Sequence, residues 1–311
     1  MYRYWASLAL VAFIALVGFQ IAAVSAQPMA TNPGDLIVDI ITPQNGIVGQ
    51  LHDMAKAVGF DGRYLYYAEW AGSVLHRIDV PPPGQSLAAG QIDIPIQGSL
   101  SGIMSISYDL SRDAFWAIGG DGLSVYLMDK SGQATLRYRI NPVTDRPGDC
   151  KQRGSLWMSG CSTEVKINYD AADDTIWYGP DTTERIYHYR TFPNALGGAQ
   201  LVDATPFVDV DVPPNNMYLE CGYSQVSGVA VGGPNLLINI AGCSSFFEFT
   251  KTGTKVGSYP IQPPPSGDTE CDDQSYSVPV FWARDGGNGH IYAYQQPNSS
   301  TCMFGGGLRV P

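Results

Sequence analysis

The fold is decided by the stretch Ser101-Gly102-Ile103-Met104-Ser105-Ile106-Ser107-Tyr108-Asp109, in which a Ser stands eight residues before an Asp. The chain repeats this spacing, a Ser or Asp eight residues before an Asp or Asn, five times. The pairs are Asp53/Asp61, Ser101/Asp109, Ser162/Asp170, Ser227/Asn235 and Ser277/Asp285. A small or apolar run fills each interval, and an aromatic or aliphatic run follows each pair. Successive pairs begin 48, 61, 65 and 50 residues apart. A repeat of this size built from short strands predicts a β-propeller.

Each repeat reads as four strands, A to D, because apolar residues alternate between boundaries rich in Gly and Pro. In the fifth repeat we predict strand A at 277–283, strand B at 290–295 and strand C at 301–310, which leaves strand D missing. An unpaired strand at 35–42 would supply it and close the ring, protecting the sheet edges. The prediction is an all-β, five-bladed β-propeller. Six blades, with one hidden in a long loop, is the alternative.

The N-terminal residues 1–26 have the pattern of a secretion signal, with Arg3, an apolar core and the small residues 24–26 before the cleavage point. A retained membrane anchor is the alternative. Residues 27–34 are then an N-terminal tail, and 35–311 form a single propeller domain. We expect the mature chain to be secreted, extracellular or periplasmic, without a membrane span.

The chain is acidic, with a formal net charge of −11 that becomes −12 when Arg3 leaves with the signal. Nucleic acids and anionic membranes are bound through basic patches, so the charge argues against both as partners. Acidity is also an ordinary means of keeping a secreted protein soluble.

The six cysteines contain no CxxC motif, which argues against a zinc ribbon or a thioredoxin-like redox pair. An even number in an exported chain predicts disulfides. Their places in the repeats favour Cys150–Cys161, Cys221–Cys243 and Cys271–Cys302, each holding a long loop on one face of the propeller.

The first residues of the five predicted A strands should form a polar collar around one end of the central channel. The collar consists of Asp53, Ser101, Ser162, Ser227 and Ser277. These side chains would either satisfy backbone groups where the strands begin, or bind a small polar ligand, a cation or water.

Two features of the repeats resemble the NHL, YVTN and gluconolactonase-like propellers. They are the C strands, such as Leu75-His76-Arg77-Ile78-Asp79 and Val125-Tyr126-Leu127-Met128-Asp129, and the openings Ser101-Gly102-Ile103 and Ser227-Gly228-Val229. In gluconolactonase-like propellers an Asn at the strand A opening helps to hold a divalent metal. Here those positions are Ser, and hydroxyls are poorer ligands for hard cations than carboxylates.

The candidate metal or catalytic residues are therefore His52, Asp53, Glu69 and Glu164. We expect that the protein needs no cofactor. If it binds one, these residues favour a divalent cation such as calcium. No GxSxG, HExxH or phosphate-binding loop occurs in the sequence.

Four aromatic residues are expected on the loop-rich face: Trp70, Trp157, Tyr178 and Tyr223. Exposed aromatics suit sugar rings or protein partners. We interpret the chain as a binding module for a small polar ligand, a carbohydrate or a protein, with its site at the channel on the loop-rich face. The alternative is a lactonase-like or glycosidase-like hydrolase that uses Asp53 with Glu164 or Glu69.

Overall fold

The computed structural model describes residues 32–42, 55–69, 72–147, 164–181, 183–222, 225–240, 242–285, 289–297 and 302. These residues form five small sheets arranged in a ring, the blades of a β-propeller. One short helix, α1 (Met217–Cys221), lies on the connection between the third and fourth blades. The predicted five-bladed architecture is confirmed. In the described part of the chain, no helix is long and apolar enough to cross a membrane.

The first four blades are antiparallel meanders of consecutive strands. Blade 1 contains β2 (Ala55–Phe60), β3 (Tyr64–Glu69), β4 (Val74–Asp79) and β5 (Ile92–Pro95). Blade 2 contains β7 (Ile103–Asp109), β8 (Ala114–Gly119), β9 (Ser124–Asp129) and β10 (Gln133–Arg139), with the two-residue β6 (Gln97–Gly98) parallel to β10. Blade 3 contains β11 (Val165–Asp170), β12 (Thr175–Pro180), β13 (Arg185–Arg190) and β14 (Phe207–Asp209). Blade 4 contains β15 (Val226–Gly232), β16 (Asn235–Ile240), β17 (Ser245–Thr250) and β18 (Lys255–Pro260).

Blade 5 combines the two ends of the described chain. Its strands are β19 (Thr269–Asp272), β20 (Val280–Arg284), β21 (His290–Gln295) and β1 (Leu36–Ile41). The outermost strand β1 pairs antiparallel with β21, from Leu36 opposite Tyr294 to Ile41 opposite His290. An Asp39 Oδ1 to His290 Nδ1 contact of 2.6 Å joins the same two strands. The predicted closure of the ring by an N-terminal strand is therefore confirmed.

The predicted strand assignment within blade 5 is wrong by one strand. Strand A is Thr269–Asp272, in a segment expected to be a loop, and the predicted A and B strands are the B and C strands. The segment was missed because its alternate residues are acidic and not apolar. Ser277 consequently lies on the exposed loop after strand A and does not begin it.

The channel is lined by β2, β7, β11, β15 and β19, each in contact with the next around the ring. We call the end where these strands begin the upper mouth, and the end where they finish the lower mouth. The middle strands are buried on both faces between neighbouring blades. For that reason β8, β12 and β20 can each place a tryptophan, Trp116, Trp177 and Trp282, fully inside the core.

In blades 2 and 3, the Asp that ends the repeat pair has a structural role. Asp109 Oδ2 accepts the indole N–H of Trp116 at 3.1 Å, and its Oδ1 accepts the N–H of Ser111 in the turn. Asp170 accepts from Trp177 in the same way at 3.1 Å. In blade 5 this role belongs to Asp272, which is 2.9 Å from the Trp282 indole nitrogen, and not to Asp285. The repeat is therefore the signature of a fixed A–B turn.

Two of the predicted disulfides, Cys221–Cys243 and Cys271–Cys302, are present. Cys150 and Cys161 lie outside the described residues. The prediction that the disulfides hold one face is wrong, because Cys271 lies within β19 near the lower mouth. Cys243, by contrast, lies in the β16–β17 loop on the upper side.

Replacing Cys221 and Cys243 together by Ser should lower the free energy of unfolding by about 3 kcal/mol. The bond closes a loop of 22 residues, and the stabilisation by a disulfide grows with the length of the loop that it closes in the unfolded chain. Urea titration of the double variant checks the value. A double variant with the wild-type urea midpoint in oxidising buffer would contradict the prediction. Wild type in which only Cys221–Cys243 is reduced should have the same midpoint as the variant.

Candidate functional site in the central channel

A polar hub of five side chains crosses the channel axis: Ser105, Ser107, Asn168, Asp268 and Glu270. Asp268 precedes β19 and is completely buried. Its Oδ1 accepts the Ser105 hydroxyl of blade 2 at 2.8 Å. Its Oδ2 accepts two backbone N–H groups, from Ile106 at 3.1 Å and from Val58 of blade 1 at 3.3 Å. One carboxylate therefore joins blades 1, 2 and 5.

Asn168 of β11 joins blades 3, 4 and 5. Its amide oxygen accepts the N–H of Val231 at 2.8 Å. Its amide nitrogen lies 3.2 Å from both the Thr269 carbonyl oxygen and Glu270 Oε2. Because blades 3 and 5 are not neighbours in the ring, this side chain spans the axis.

The serines of β7 tie blade 2 to blade 3. The N–H of Ile167 donates to Ser105 Oγ at 2.8 Å, and the N–H of Tyr169 donates to Ser107 Oγ at 2.9 Å. Alternate residues of each inner strand, two positions apart, therefore face the axis. Buried polar groups need such partners, and the hub supplies them between the inner strands.

The two hub carboxyls, Asp268 and Glu270, have raised pKa values. Burial raises the pKa of Asp268 to about 7, against the opposing effects of Lys166, Ser105 and the two backbone donors. Burial also holds the pKa of Glu270 well above its usual range, with Asp268 and Asp272 adding to the rise. Desolvation disfavours the charged form of an acid, and the acids two residues to either side of Glu270 reinforce the effect at that carboxyl.

Lys166 is the one hub neighbour whose ammonium has no hydrogen-bond acceptor among the described residues. It lies on the axis side of β11, two residues before Asn168, and its side chain is completely buried. The Lys166 ammonium lies 3.6 Å from the carboxylate oxygen Glu164 Oε1. Glu164 directly precedes β11, at the upper mouth. A buried ammonium without hydrogen bonds is costly, so this position needs a functional explanation.

A small cavity of about 40 Å³ lies at the lower mouth. Glu270 and Asn168 are at its inner end, and Tyr108 and Tyr169 form walls. The channel thus has two distinct polar regions, Lys166 with Glu164 above the hub and the Glu270 cavity below it.

The predicted collar is only partly within the described residues. Ser101 is exposed and lies two residues before β7. Ser227 is buried in β15, and its hydroxyl has no hydrogen-bond partner within the described ranges. Ser277 lies on the lower side of the ring. His52, Asp53 and Ser162 lie outside the described residues, so the ligand-binding role of the collar stays a prediction.

The other candidate residues are dispersed. Glu164 stands beside Lys166, whereas Glu69 ends β3 and lies 3.8 Å from His76 Nε2. Tyr178, predicted on the surface, is fully buried, and its hydroxyl donates to the Gly122 carbonyl at 2.7 Å. Trp70, Trp157 and Tyr223 lie outside the described residues.

The sequence reading missed Lys166, Asn168, Asp268 and Glu270. The sequence contained a signal for these residues, because side chains two positions apart on an inner strand lie on the same face of the strand. The run Asp268-Thr269-Glu270-Cys271-Asp272 has this pattern and was interpreted as an acidic loop.

One group of metal-type ligands, Asp170, Asp173 and His188, occurs within the described ranges. The ammonium of Lys251 lies 2.5 Å from Asp170 Oδ2. The His188 ring stacks on Trp177 at 3.9 Å and contacts Thr175 Oγ1 at 2.6 Å. Because a lysine already compensates the buried carboxylate, we assign this group to the packing of blade 3.

The chain is a β-propeller with distant structural relatives. No protein-family model matches it, and no curated protein matches its sequence. Similar solved structures include a glutaminyl cyclase from Myxococcus xanthus, with 9% identity over 84% of this chain and 98% of that one, at a TM-score of 0.49. A nidogen/laminin complex has 11% identity over 78% and 76% of the chains, with a TM-score of 0.44. Virginiamycin B lyase from Staphylococcus aureus has 15% identity over 75% of this chain and 62% of that one, at a TM-score of 0.37.

Proposed function

We propose that this protein is a secreted binding module that recognises a small polar ligand at the upper mouth of its channel. The observation that carries the proposal is the buried ammonium of Lys166, which has no hydrogen-bond acceptor among the residues that the structure describes. Strongly perturbed or unsatisfied buried groups concentrate at functional sites. A ligand that presents a carboxylate or another acceptor oxygen would supply the missing partner.

The surroundings of Lys166 support binding better than turnover. Asp268, which interacts electrostatically with Lys166, already accepts three hydrogen bonds from blades 1 and 2. A carboxylate engaged in this way is poorly placed to act as a nucleophile or general base. The two disulfides and the signal-like pattern of residues 1–26 support an extracytoplasmic location.

The test compares Lys166→Met with wild type in thermal unfolding against acetate, succinate, inorganic phosphate and glucose at constant ionic strength. We expect at least one probe to raise the wild-type midpoint saturably, because a ligand that binds only the folded state stabilises it. Its affinity should fall at least tenfold in Lys166→Met.

Lys255→Met is the matched control, because Lys255 pairs with Glu220 on the outside of blade 4. It should respond to the probes as wild type does. Equal responses of Lys166→Met and wild type, or no response to any probe, would overturn the proposal. Hydrolysis of a lactone or glycoside by wild type would instead support the hydrolase alternative.

A further inference from the structure

We propose that the cavity at the lower mouth is a second site, separate from Lys166, and that it binds a small ammonium-type cation on Glu270. The cavity measures about 40 Å³ and opens beside Leu110, a half-exposed residue of the β7–β8 turn. A single water needs about 10–15 Å³ by this measure. The space therefore holds about three or four water-sized groups, enough for ammonium or methylammonium.

The charge of the lining selects a cation. Among the described lining residues, Glu270 is the one acid, and none is Lys or Arg. The amide oxygen of Asn168 is already used by the Val231 N–H, and its amide nitrogen points to Glu270 Oε2. The carboxyl of Glu270 is thus the group left to recognise a ligand, and a charge-assisted N–H to carboxylate bond is the strong contact it can offer.

The walls suit the same ligand. Tyr108 and Tyr169 line the cavity while their hydroxyls are held by acids of the lower turns, Asp113 Oδ1 at 2.5 Å and Asp174 Oδ1 at 3.1 Å. The rings are therefore fixed in place with their polar ends engaged elsewhere. Aromatic rings attract cations through their π faces, and the apolar Val231 adds a wall that excludes water.

Binding at Glu270 should be coupled to release of a proton. The groups that face this carboxyl are Asp268 and Asp272 of its own strand segment, Ser107 of β7 and Asn168 of β11. Burial and the two acids hold its pKa well above the usual range, while the hydroxyl and the amide oppose them. A cation in the cavity favours the ionised carboxylate, so cation binding and protonation of Glu270 oppose each other.

The experiment measures thermal unfolding of the full chain at pH 8 in the chlorides of sodium, ammonium, methylammonium and tetramethylammonium at matched ionic strength. Ammonium and methylammonium should raise the midpoint saturably relative to sodium, and tetramethylammonium should not, because it exceeds the cavity. Glu270→Gln should weaken the response at least tenfold. In wild type, calorimetric titration of methylammonium at several pH values from 5 to 9, each in two buffers of different ionisation enthalpy, should show proton release within this range.

Glu248→Gln is the matched control, because Glu248 is equally buried in β17 and lies outside the cavity. It should keep the ammonium response, as should Lys166→Met, which separates this site from the upper one. Identical responses of wild type and Glu270→Gln would overturn the proposal. So would a response that follows ionic strength alone, or the absence of proton release.

Discussion

Removal of residues 1–42 should abolish cooperative folding, whereas removal of residues 1–31 should leave the unfolding midpoint unchanged. The longer deletion takes away β1, the outer strand of blade 5. Three of its side chains are buried, Ile37, Val38 and Ile40. Burial of an aliphatic side chain contributes about 1.5–3 kcal/mol, so three of them account for a large share of the roughly 5–15 kcal/mol typical of a folded domain. The edge of β21 would also lose its backbone partners and become open to aggregation.

Circular dichroism during heating distinguishes the two deletions. A synthetic peptide of residues 32–42, added in trans, should restore part of the cooperative transition of the longer deletion by pairing with β21. A deletion of residues 1–42 that unfolds cooperatively within a few degrees of wild type would show that the ring does not depend on β1. Ile40→Asp provides an independent variant, because it introduces a charge at a fully buried position.

Asp268→Asn should destabilise the protein by about 3 kcal/mol or more. The native carboxylate accepts from three donors, the Ser105 hydroxyl and the N–H groups of Val58 and Ile106. An amide presents its NH₂ group to at least one of them, and each buried polar group left unsatisfied costs about 1–3 kcal/mol. Asp203→Asn, on an exposed residue, is the matched control and should change stability little. Equal urea midpoints for the two variants would contradict the structural role of the hub.

The same residue predicts how the stability of the wild type depends on pH. Folding raises the pKa of Asp268 from 3.8 to about 7, so the folded state binds the proton more tightly than the unfolded state. Its contribution is therefore fully present below about pH 4 and is lost as the pH rises to about 7, with a slope of at most about 1.4 kcal/mol per pH unit. Glu270 and Asp272 shift in the same direction.

Surface acids change the stability with pH in the opposite direction. The pKa of Asp174 is lowered by Arg112, and that of Asp129 by Ser131, so their stabilisation is lost as the pH falls below about 4. Urea titrations from pH 3 to pH 9 should show a maximum near pH 4–5. In Asp268→Asn, the stability should decline less steeply toward pH 7. An equally steep decline in this variant would show that other groups cause the pH dependence.

The fold could be predicted from the sequence because its repeat follows a local constraint. Asp109 and Asp170 each stand at the end of an inner strand, where one side chain caps the turn and binds the indole of the next strand. This contact constrains which residue types stand at the two positions and how far apart they lie within one blade. The fifth blade was misread because Asp285 has the same spacing from a Ser by coincidence, while the true cap, Asp272, ends a polar strand.

The site could not be predicted in the same way, because it depends on contacts between blades. Ser105, Asn168 and Asp268 come from three separate blades and meet only at the axis. The two-residue spacing of polar side chains marks which residues face the channel. The packing of whole blades sets how far each inner strand is shifted along the channel axis. This shift decides that Asn168 reaches Glu270.

The pairing of β1 with β21 has a consequence for the synthesis of the protein. A ribosome makes β1 before any other described strand and β21 after all of them. Blades 1 to 4 can therefore assemble as the chain emerges, but the ring cannot close until its last strand has been made. Until β21 has been made, β1 lacks its partner strand while complete blade edges form beside it, so a chaperone that shields extended segments should raise the yield of the folded protein.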